Sequence, residues 1–144
     1  MKRIEQLQNL SREHHVSLVM AKNIAEIASQ GSDEELINAI DTVKKYYDDE
    51  LEVHFQHEER TIFSIIFSDY KEHIGIATTL LKEHGAIRAL IPNLRLETAR
   101  KDLAVFALIL KNHTRVEERE LFPLVETLFS RKQLDDVLSF VPLD

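Results

Sequence analysis

Apolar residues recur at steps of three and four along most of the chain and do not alternate with polar ones. This spacing places apolar side chains on one face of an α-helix, whereas a half-buried strand requires alternation. Only three glycines and three prolines interrupt the pattern. The sequence therefore predicts an all-α protein with few loops.

The first two predicted helices meet at a glycine. The first helix stops at Gly31, and Ser32 or Asp33 caps the second, which continues to Phe67. The apolar stripe of the first helix is Ile4, Leu7, Leu10, Leu18, Ala21 and Ala25, and that of the second is Leu36, Ile40, Val43, Tyr47, Leu51, Ile62 and Ile65.

Two further helices follow a predicted bend at residues 68–70. The third ends near Pro92, and the fourth is expected to bend at Pro123, because proline deletes a backbone donor. Their stripes are Ile76, Leu80, Ile87 and Ile91, then Leu103, Phe106, Leu110, Leu121, Leu124 and Leu128. With a short amphipathic helix over 130–141, the pattern predicts an up-down-up-down antiparallel four-helix bundle, formed by residues 1–144 as one domain.

A ten-residue frame occurs twice, fifty-nine residues apart. Residues 54–63 and 113–122 both read His-x-x-x-Glu-Glu-Arg-x-aliphatic-Phe. Because residues four apart lie on the same face of a helix, each copy aims one imidazole and one carboxylate at a single point. The repetition of the whole frame favours a metal site over two unrelated polar pairs.

Six polar residues lie on the apolar stripes, namely His14, His54, Glu58, His84, His113 and Glu117. A lone histidine such as His84 is often a satisfied core residue, but an antiparallel pair of helices sets it opposite His54. A buried carboxylate is costly unless a cation or a hydrogen-bond network balances it. Four imidazoles and two carboxylates exceed the needs of one ion, so we predict two ions bridged by Glu58 and Glu117. His57 and Glu59 are predicted to face solvent.

The composition argues against several classes of binding partner and of metal or redox site. A net charge of −7 with no basic run argues against nucleic acid and anionic membranes as partners. The absence of cysteine excludes disulfides, thiolate metal sites and iron–sulfur ligation. No stretch has the character of a signal peptide or a membrane span, which predicts a cytoplasmic protein.

These residues resemble the hemerythrin-like, or HHE cation-binding, domains. The resemblance covers nearly the whole chain, through Glu13-His14-His15, His54-Phe55 to Glu58-Glu59, Glu83-His84, His113 to Glu117, and Leu121-Phe122-Pro123. It implies a left-handed four-helix bundle around two iron ions (Fe2+/Fe3+) with an oxo or hydroxo bridge, for which zinc or manganese can substitute. By that analogy, His14 and His54 serve one iron, and His84 and His113 the other.

One position departs from the family pattern. Oxygen-carrying hemerythrins place two histidines a turn apart on the third helix, whereas here Leu80 and Arg88 flank His84 at that spacing. The alternates for a fifth ligand are His15, Glu50 and His73. A missing histidine leaves an open coordination position.

The leading functional hypothesis is a diiron protein that binds or senses dioxygen, nitric oxide or a related oxidant, in iron handling or oxidative-stress defence. Two alternatives stay open from the sequence. One is a diiron redox enzyme that turns over peroxide or nitric oxide or repairs iron–sulfur clusters. The other is a zinc-bound or metal-free structural bundle. The expected partner is a small diatomic ligand or oxidant, and the expected assembly is a monomer or weak homodimer.

Overall fold

The computed structural model describes residues 3–142, and every regular element in this range is helical. The α-helices are α1 (Glu5–Gln30), α2 (Asp33–Tyr46), α3 (Glu52–Glu58), α4 (Ser64–Asp69), α5 (Ile74–Leu90), α6 (Ala99–Val116), α7 (Phe122–Leu128) and α8 (Arg131–Leu138). Turns of π-helix at Tyr47–Leu51 and Glu59–Phe63 join α2, α3 and α4 into one continuous helix, and a third at Glu117–Leu121 joins α6 to α7. The predicted all-α class is confirmed. Within this range no helix is both long and apolar enough to cross a membrane.

Gly31 and Ser32 separate α1 from α2. A Cβ atom on Gly31 would lie 2.6 Å from the backbone oxygen of Ile27, so this close turn requires glycine. The Ser32 hydroxyl accepts a hydrogen bond from the Glu35 N–H at 3.2 Å, while the Ser32 N–H donates to the Glu35 carboxylate at 3.0 Å. This reciprocal capping box makes Ser32, of the two predicted residues, the cap of α2.

The buried face of α1 is narrower than the predicted stripe. Its buried residues alternate steps of three and four, in the order Leu7, Leu10, His14, Ser17, Ala21, Ile24 and Ala28. A seven-residue repeat of this kind forms a narrow seam. The prediction of Leu18 and Ala25 on this face was wrong, because both lie off the seam: Leu18 is half-buried and Ala25 is exposed.

The π turns explain two further corrections. A π turn closes i→i+5 hydrogen bonds instead of i→i+4, so it shifts which later residues face the core. Tyr46, not the predicted Tyr47, is buried before the first π turn. Because that turn adds one residue, the predicted Leu51 is the next core position, five residues after Tyr46 and not four. Ile66, not the predicted Ile65, is buried after the second.

The last helices also differ in detail from the prediction. Pro123 is the second residue of α7, which begins where the third π turn ends. In α7 the fully buried residues are Phe122 and Val125, while the predicted Leu124 and Leu128 are half-buried. The closing helix, capped by Ser130, is α8 and is shorter than the predicted 130–141.

Buried apolar residues form two separate clusters. On α1 the first cluster takes residues 21–28 and the second takes residues 7–10, while on α6 and α7 they take residues 99–110 and 121–125. The long helices are α1, α2–α4, α5 and α6–α7. On three of them a buried histidine lies between the two clusters, and on α2–α4 the residue in that gap is Glu58, one turn after His54. The fold thus places a polar layer between two apolar ones.

Candidate metal centre

Six polar side chains fill the layer between the apolar clusters. They are the residues predicted as ligands, and their exposed fractions are His14 2%, His54 4%, Glu58 0%, His84 0%, His113 2% and Glu117 0%. All four long helices contribute. Ionisable groups at this depth need charged or hydrogen-bonding partners.

The six residues form two groups that overlap. One comprises His14, His54, Glu58 and Glu117, and the other comprises Glu58, His84, His113 and Glu117. Within each group the atoms able to bind a metal lie within 4.8 Å of one another. Both carboxylates belong to both groups, which is the arrangement expected of bridging ligands.

The two oxygens of Glu58 face different groups. Its Oε2 lies 3.4 Å from His14 Nε2 and 3.3 Å from His54 Nε2, whereas its Oε1 lies 3.2 Å from His84 Nε2. A single carboxylate therefore serves both groups at once, with one oxygen for each.

Glu117 is arranged in the same way. Its Oε1 lies 2.8 Å from His14 Nε2, and its Oε2 lies 3.2 Å from His113 Nε2. The two carboxylates, one from each copy of the repeated frame, are therefore equivalent in role.

Five of the inner polar atoms lack hydrogen bonds. Neither oxygen of Glu58 or Glu117 has a hydrogen-bond partner, and nor does His14 Nε2. The 2.8 Å contact between His14 and Glu117 is close but lacks hydrogen-bond alignment. Buried polar atoms are nearly always satisfied. Four carboxylate oxygens and converging imidazole nitrogens instead match the donor set of a metal site, so these residues fit a pair of cations.

The carboxylates also raise the pKa values of the histidines. Burial would lower the pKa of each imidazole, but the charge of Glu58 and a hydrogen bond donated to Glu13 raise the pKa of His54 to about 9. The charge of Glu117 likewise outweighs burial and raises the pKa of His113 to about 10. Burial would raise the pKa of the Glu58 carboxyl, yet His54 and its neighbours hold that pKa well below its usual range. The cluster is therefore built to hold positive charge.

The outer ring nitrogen, Nδ1, of each histidine donates to a carboxylate on another helix. An ionised carboxylate only accepts, so Nδ1 carries a proton, and Nε2 faces the centre. His84 Nε2 and His113 Nε2 lie 3.1 Å apart there. The pairs are His14 with Glu118 at 2.6 Å, His54 with Glu13 at 2.7 Å, His84 with Glu59 at 2.7 Å, and His113 with Glu83 at 2.8 Å.

These four hydrogen bonds form a closed ring around the helices. The first long helix supports the second, the second supports the third, the third supports the fourth, and the fourth supports the first. The sequence analysis missed the supporting carboxylates Glu13, Glu59, Glu83 and Glu118. Their position in the sequence could have revealed them, because each lies next to a ligand candidate. Neighbouring positions on a helix point about 100° apart, so a residue beside a ligand points toward the adjacent helix.

Glu59 was wrongly predicted to face solvent. It accepts from His84 and also from Arg88 Nη1 at 2.7 Å, and Arg88 is in turn held by Glu52 at 2.7 Å. Arg88 stands one turn after His84, where a second histidine would have been. That position therefore supports the hydrogen-bond ring and supplies no ligand.

His57 was also wrongly predicted to face solvent. Its ring is half-buried, its Nε2 lies 2.7 Å from the backbone oxygen of Val137, and it stacks on Phe140 at 4.6 Å. The C-terminal segment covers His57. The apolar pattern of the helix that contains His57 could not predict this contact, because the covering residues lie far along the chain.

The phenylalanine that ends each copy of the frame packs against an imidazole. Phe63 lies 5.5 Å from the ring of His84, and Phe122 stacks on His14 at 5.0 Å. Phe55 stacks on His84 at 3.9 Å. These rings give the polar layer an apolar surround.

The three alternate ligands lie outside both groups. His15 is exposed, and His73 is about one-third exposed with Glu72 3.8 Å away. Glu50 is exposed and lines a small cavity beside His54. The structure brings none of them to the centre of the cluster.

Comparison with known proteins identifies one family. The profile described as the hemerythrin HHE cation binding domain matches residues 6–125. No curated protein and no solved structure gives a significant match. The matched range includes all six clustered residues and all four supporting carboxylates.

Proposed function

The chain belongs to the hemerythrin HHE cation-binding family, whose members hold a metal cation, and on this premise we propose that its buried cluster holds two iron ions. His14 and His54 would bind one ion, and His84 and His113 the other. Glu58 and Glu117 would bridge the pair. Imidazole and carboxylate groups both suit iron.

The observation that carries this proposal is the division of each carboxylate between the two groups. One oxygen of Glu58 faces His14 and His54 while the other faces His84, and neither has a hydrogen-bond partner. A single cation would use only part of this donor set. Two cations would use all of it and would neutralise both buried carboxylates.

The proposal includes the arrangement of the helices. Four long helices would alternate in direction, with α8 as a short addition. In support, His14 of α1 contacts Glu118, while Arg100 of α6 donates to the oxygen of Ala28 at 2.9 Å. Early residues of α1 thus meet late residues of the fourth helix, as antiparallel neighbours do.

The function that follows is binding of a small oxidant. When bound, a pair of iron ions supplies the electrons and Lewis acidity needed to bind dioxygen, nitric oxide or a related molecule. The protein offers each ion two imidazoles and two shared carboxylates, which leaves room for a small external ligand. Sensing, iron handling or oxidative-stress defence are roles that suit such a site.

The size of the adjoining cavity supports a small ligand. Glu13, Ser17, Tyr46, Glu50 and His54 are among the residues that line a space of about 20 Å³ between α1 and the second long helix. That volume holds about one water molecule. It suits a diatomic molecule better than an organic substrate.

Metal analysis of protein expressed with ample iron and purified in air tests the proposal. We expect close to two iron atoms per chain, because the donor atoms form two groups that share both carboxylates. We also expect ferric charge-transfer absorption in the near ultraviolet that changes on addition of azide. One zinc per chain, or no metal, would contradict the diiron proposal, and iron without an azide response would contradict an open position.

A further inference from the structure

A long groove runs over the outer surface where α1 and α6 pack together. Its volume is about 770 Å³. Its lining contains none of the clustered ligands. The lining residues are His15, Leu18, Val19, Ala21, Lys22, Ala25, Glu26, Ala104, Ala107, Leu108, Lys111 and Arg115.

The groove has an apolar floor with larger apolar walls. Four alanines keep the floor low, since a methyl group fills little of the space between two helices. Val19 and Leu108 line the groove and remain 48% and 59% exposed. Apolar side chains left this open along one groove mark a surface that binds something apolar.

The groove carries more positive than negative side chains, although the chain as a whole is acidic. The protein carries 25 acidic and 18 basic residues, yet the groove has Lys22, Lys111 and Arg115 against a single acid, Glu26. Among the ion pairs within residues 3–142, none involves these three cations. Their charges are therefore available to a ligand.

The two ends of the groove also differ in charge. Because α1 and α6 run in opposite directions, Arg115 and Lys111 lie toward His15, while Ala104 lies toward Ala25 and Glu26. From residue 15 to residue 26 the groove is about 16 Å long at ~1.5 Å per residue. The end near His15 carries two cations, Lys111 and Arg115, whereas toward the other end Lys22 and Glu26 have opposite charges.

We propose that this groove binds an amphipathic anion, a molecule with one apolar chain and a carboxylate head. The chain would lie on the alanine floor, and the carboxylate would lie between Lys111 and Arg115. The volume of about 770 Å³ falls within the range of small-molecule sites, roughly 300–1,000 Å³. This site is independent of the metal centre.

Calorimetric titration with dodecanoate, kept below its micelle concentration, tests the proposal. We expect saturable binding of one molecule per chain to the protein as purified. A cation with the same chain, dodecyltrimethylammonium, should bind at least roughly tenfold more weakly, because it meets the cations at the head position. No saturable binding of dodecanoate would overturn the proposal, as would equal affinity for the two probes.

Variants locate the site. Lys111→Gln combined with Arg115→Gln should weaken dodecanoate binding by tenfold or more, since the charged head loses both partners. Both side chains are exposed, so the fold should survive. Lys101→Gln is the matched control, an exposed lysine of the same helix outside the groove.

Ala104→Phe, which fills the floor, should also block binding. If the double variant matched Lys101→Gln, or if an acidic helical peptide bound where dodecanoate did not, the proposal would fail.

Discussion

At the scale of single residues, the centre separates two kinds of carboxylate. Glu58 and Glu117 point inward with no hydrogen-bond partner, whereas Glu13 and Glu83 accept from histidines at the edge of the site. The first kind would touch a metal. The second kind orients the side chains that would touch it.

Replacing Glu58 by glutamine tests the bridging role. Glu58→Gln keeps the size of the side chain but removes the charge that both groups share, so both irons should be lost together. Glu120→Gln, at an exposed position three residues after Glu117, is the control and should retain them. Iron content per chain and circular dichroism check the result. Retention of one iron by Glu58→Gln would mean that this residue serves a single ion.

Replacing Glu13 by glutamine tests the supporting role. Glu13→Gln should lower the affinity of the ion held by His54 by about 10–100-fold, since the imidazole loses its charged acceptor. Competition with a chelator measures this loss. One iron should leave at a lower chelator concentration than the other, while Glu26→Gln, exposed on the same helix, should behave as wild type. Unchanged affinity in Glu13→Gln would show that the hydrogen bond is only structural.

At the scale of elements, helix ends and helix irregularities position the site. One π turn begins directly after Glu58 and another begins at Glu117. Such turns are frequent at functional sites, because they change the direction of neighbouring side chains. Gly31 sets the turn between the first two helices and therefore the level at which His14 meets His54. Gly85, by contrast, is exposed within α5, where no turn requires glycine.

Two glycine substitutions should therefore have opposite effects on stability. Gly31→Ala should destabilise by about 1 kcal/mol or more, because its Cβ would lie 2.6 Å from a backbone oxygen that cannot easily move. Gly85→Ala meets nothing within 4 Å and should stabilise by about 0.5–1 kcal/mol through helix propensity. Urea unfolding of the metal-free protein measures both. Equal signs for the two changes would contradict this account of the α1–α2 turn.

At the scale of the whole molecule, the buried charges link the fold to protons and metal. The pKa values of His54, at about 9, and of His113, at about 10, lie above the ordinary value near 6.5. Protonated imidazoles thus stabilise the metal-free fold, fully below pH ~6.5, and this contribution is lost as pH rises through the raised pKa values. Metal requires neutral imidazoles, so protons and iron compete for one site.

Stability and metal affinity should consequently change in opposite directions with pH. Between pH 7 and 9 the melting temperature of the metal-free protein should fall, while its affinity for ferrous iron should rise and each binding event should release protons. Thermal melts and titrations at several pH values measure these trends. The iron-loaded protein is the control, since its imidazoles are already neutral, and its melting temperature should vary less. A metal-free melting temperature that rises over this range would contradict the pKa shifts.

Much of this protein could be predicted from the sequence, because its signals are local. Steps of three and four among apolar residues depend only on the geometry of one helix, so the helical class and the positions of His14, His54, His84 and His113 on inward faces followed from the pattern. The repeated frame gave Glu58 and Glu117 their shared role. The prediction failed where a π turn changed the helical period, as at Tyr46 and Tyr47.

What only the tertiary structure decided are the relations between helices. The sequence determined that six polar residues face a core, but not that each oxygen of Glu58 faces a different pair of histidines. Nor did it reveal that Glu13, Glu59, Glu83 and Glu118 each support a histidine on the next helix. The reason is physical: helical periodicity sets the direction in which a side chain leaves its own axis, whereas the atom it meets depends on the level and rotation of a neighbouring helix. Those two quantities are set by the packing of all four helices together.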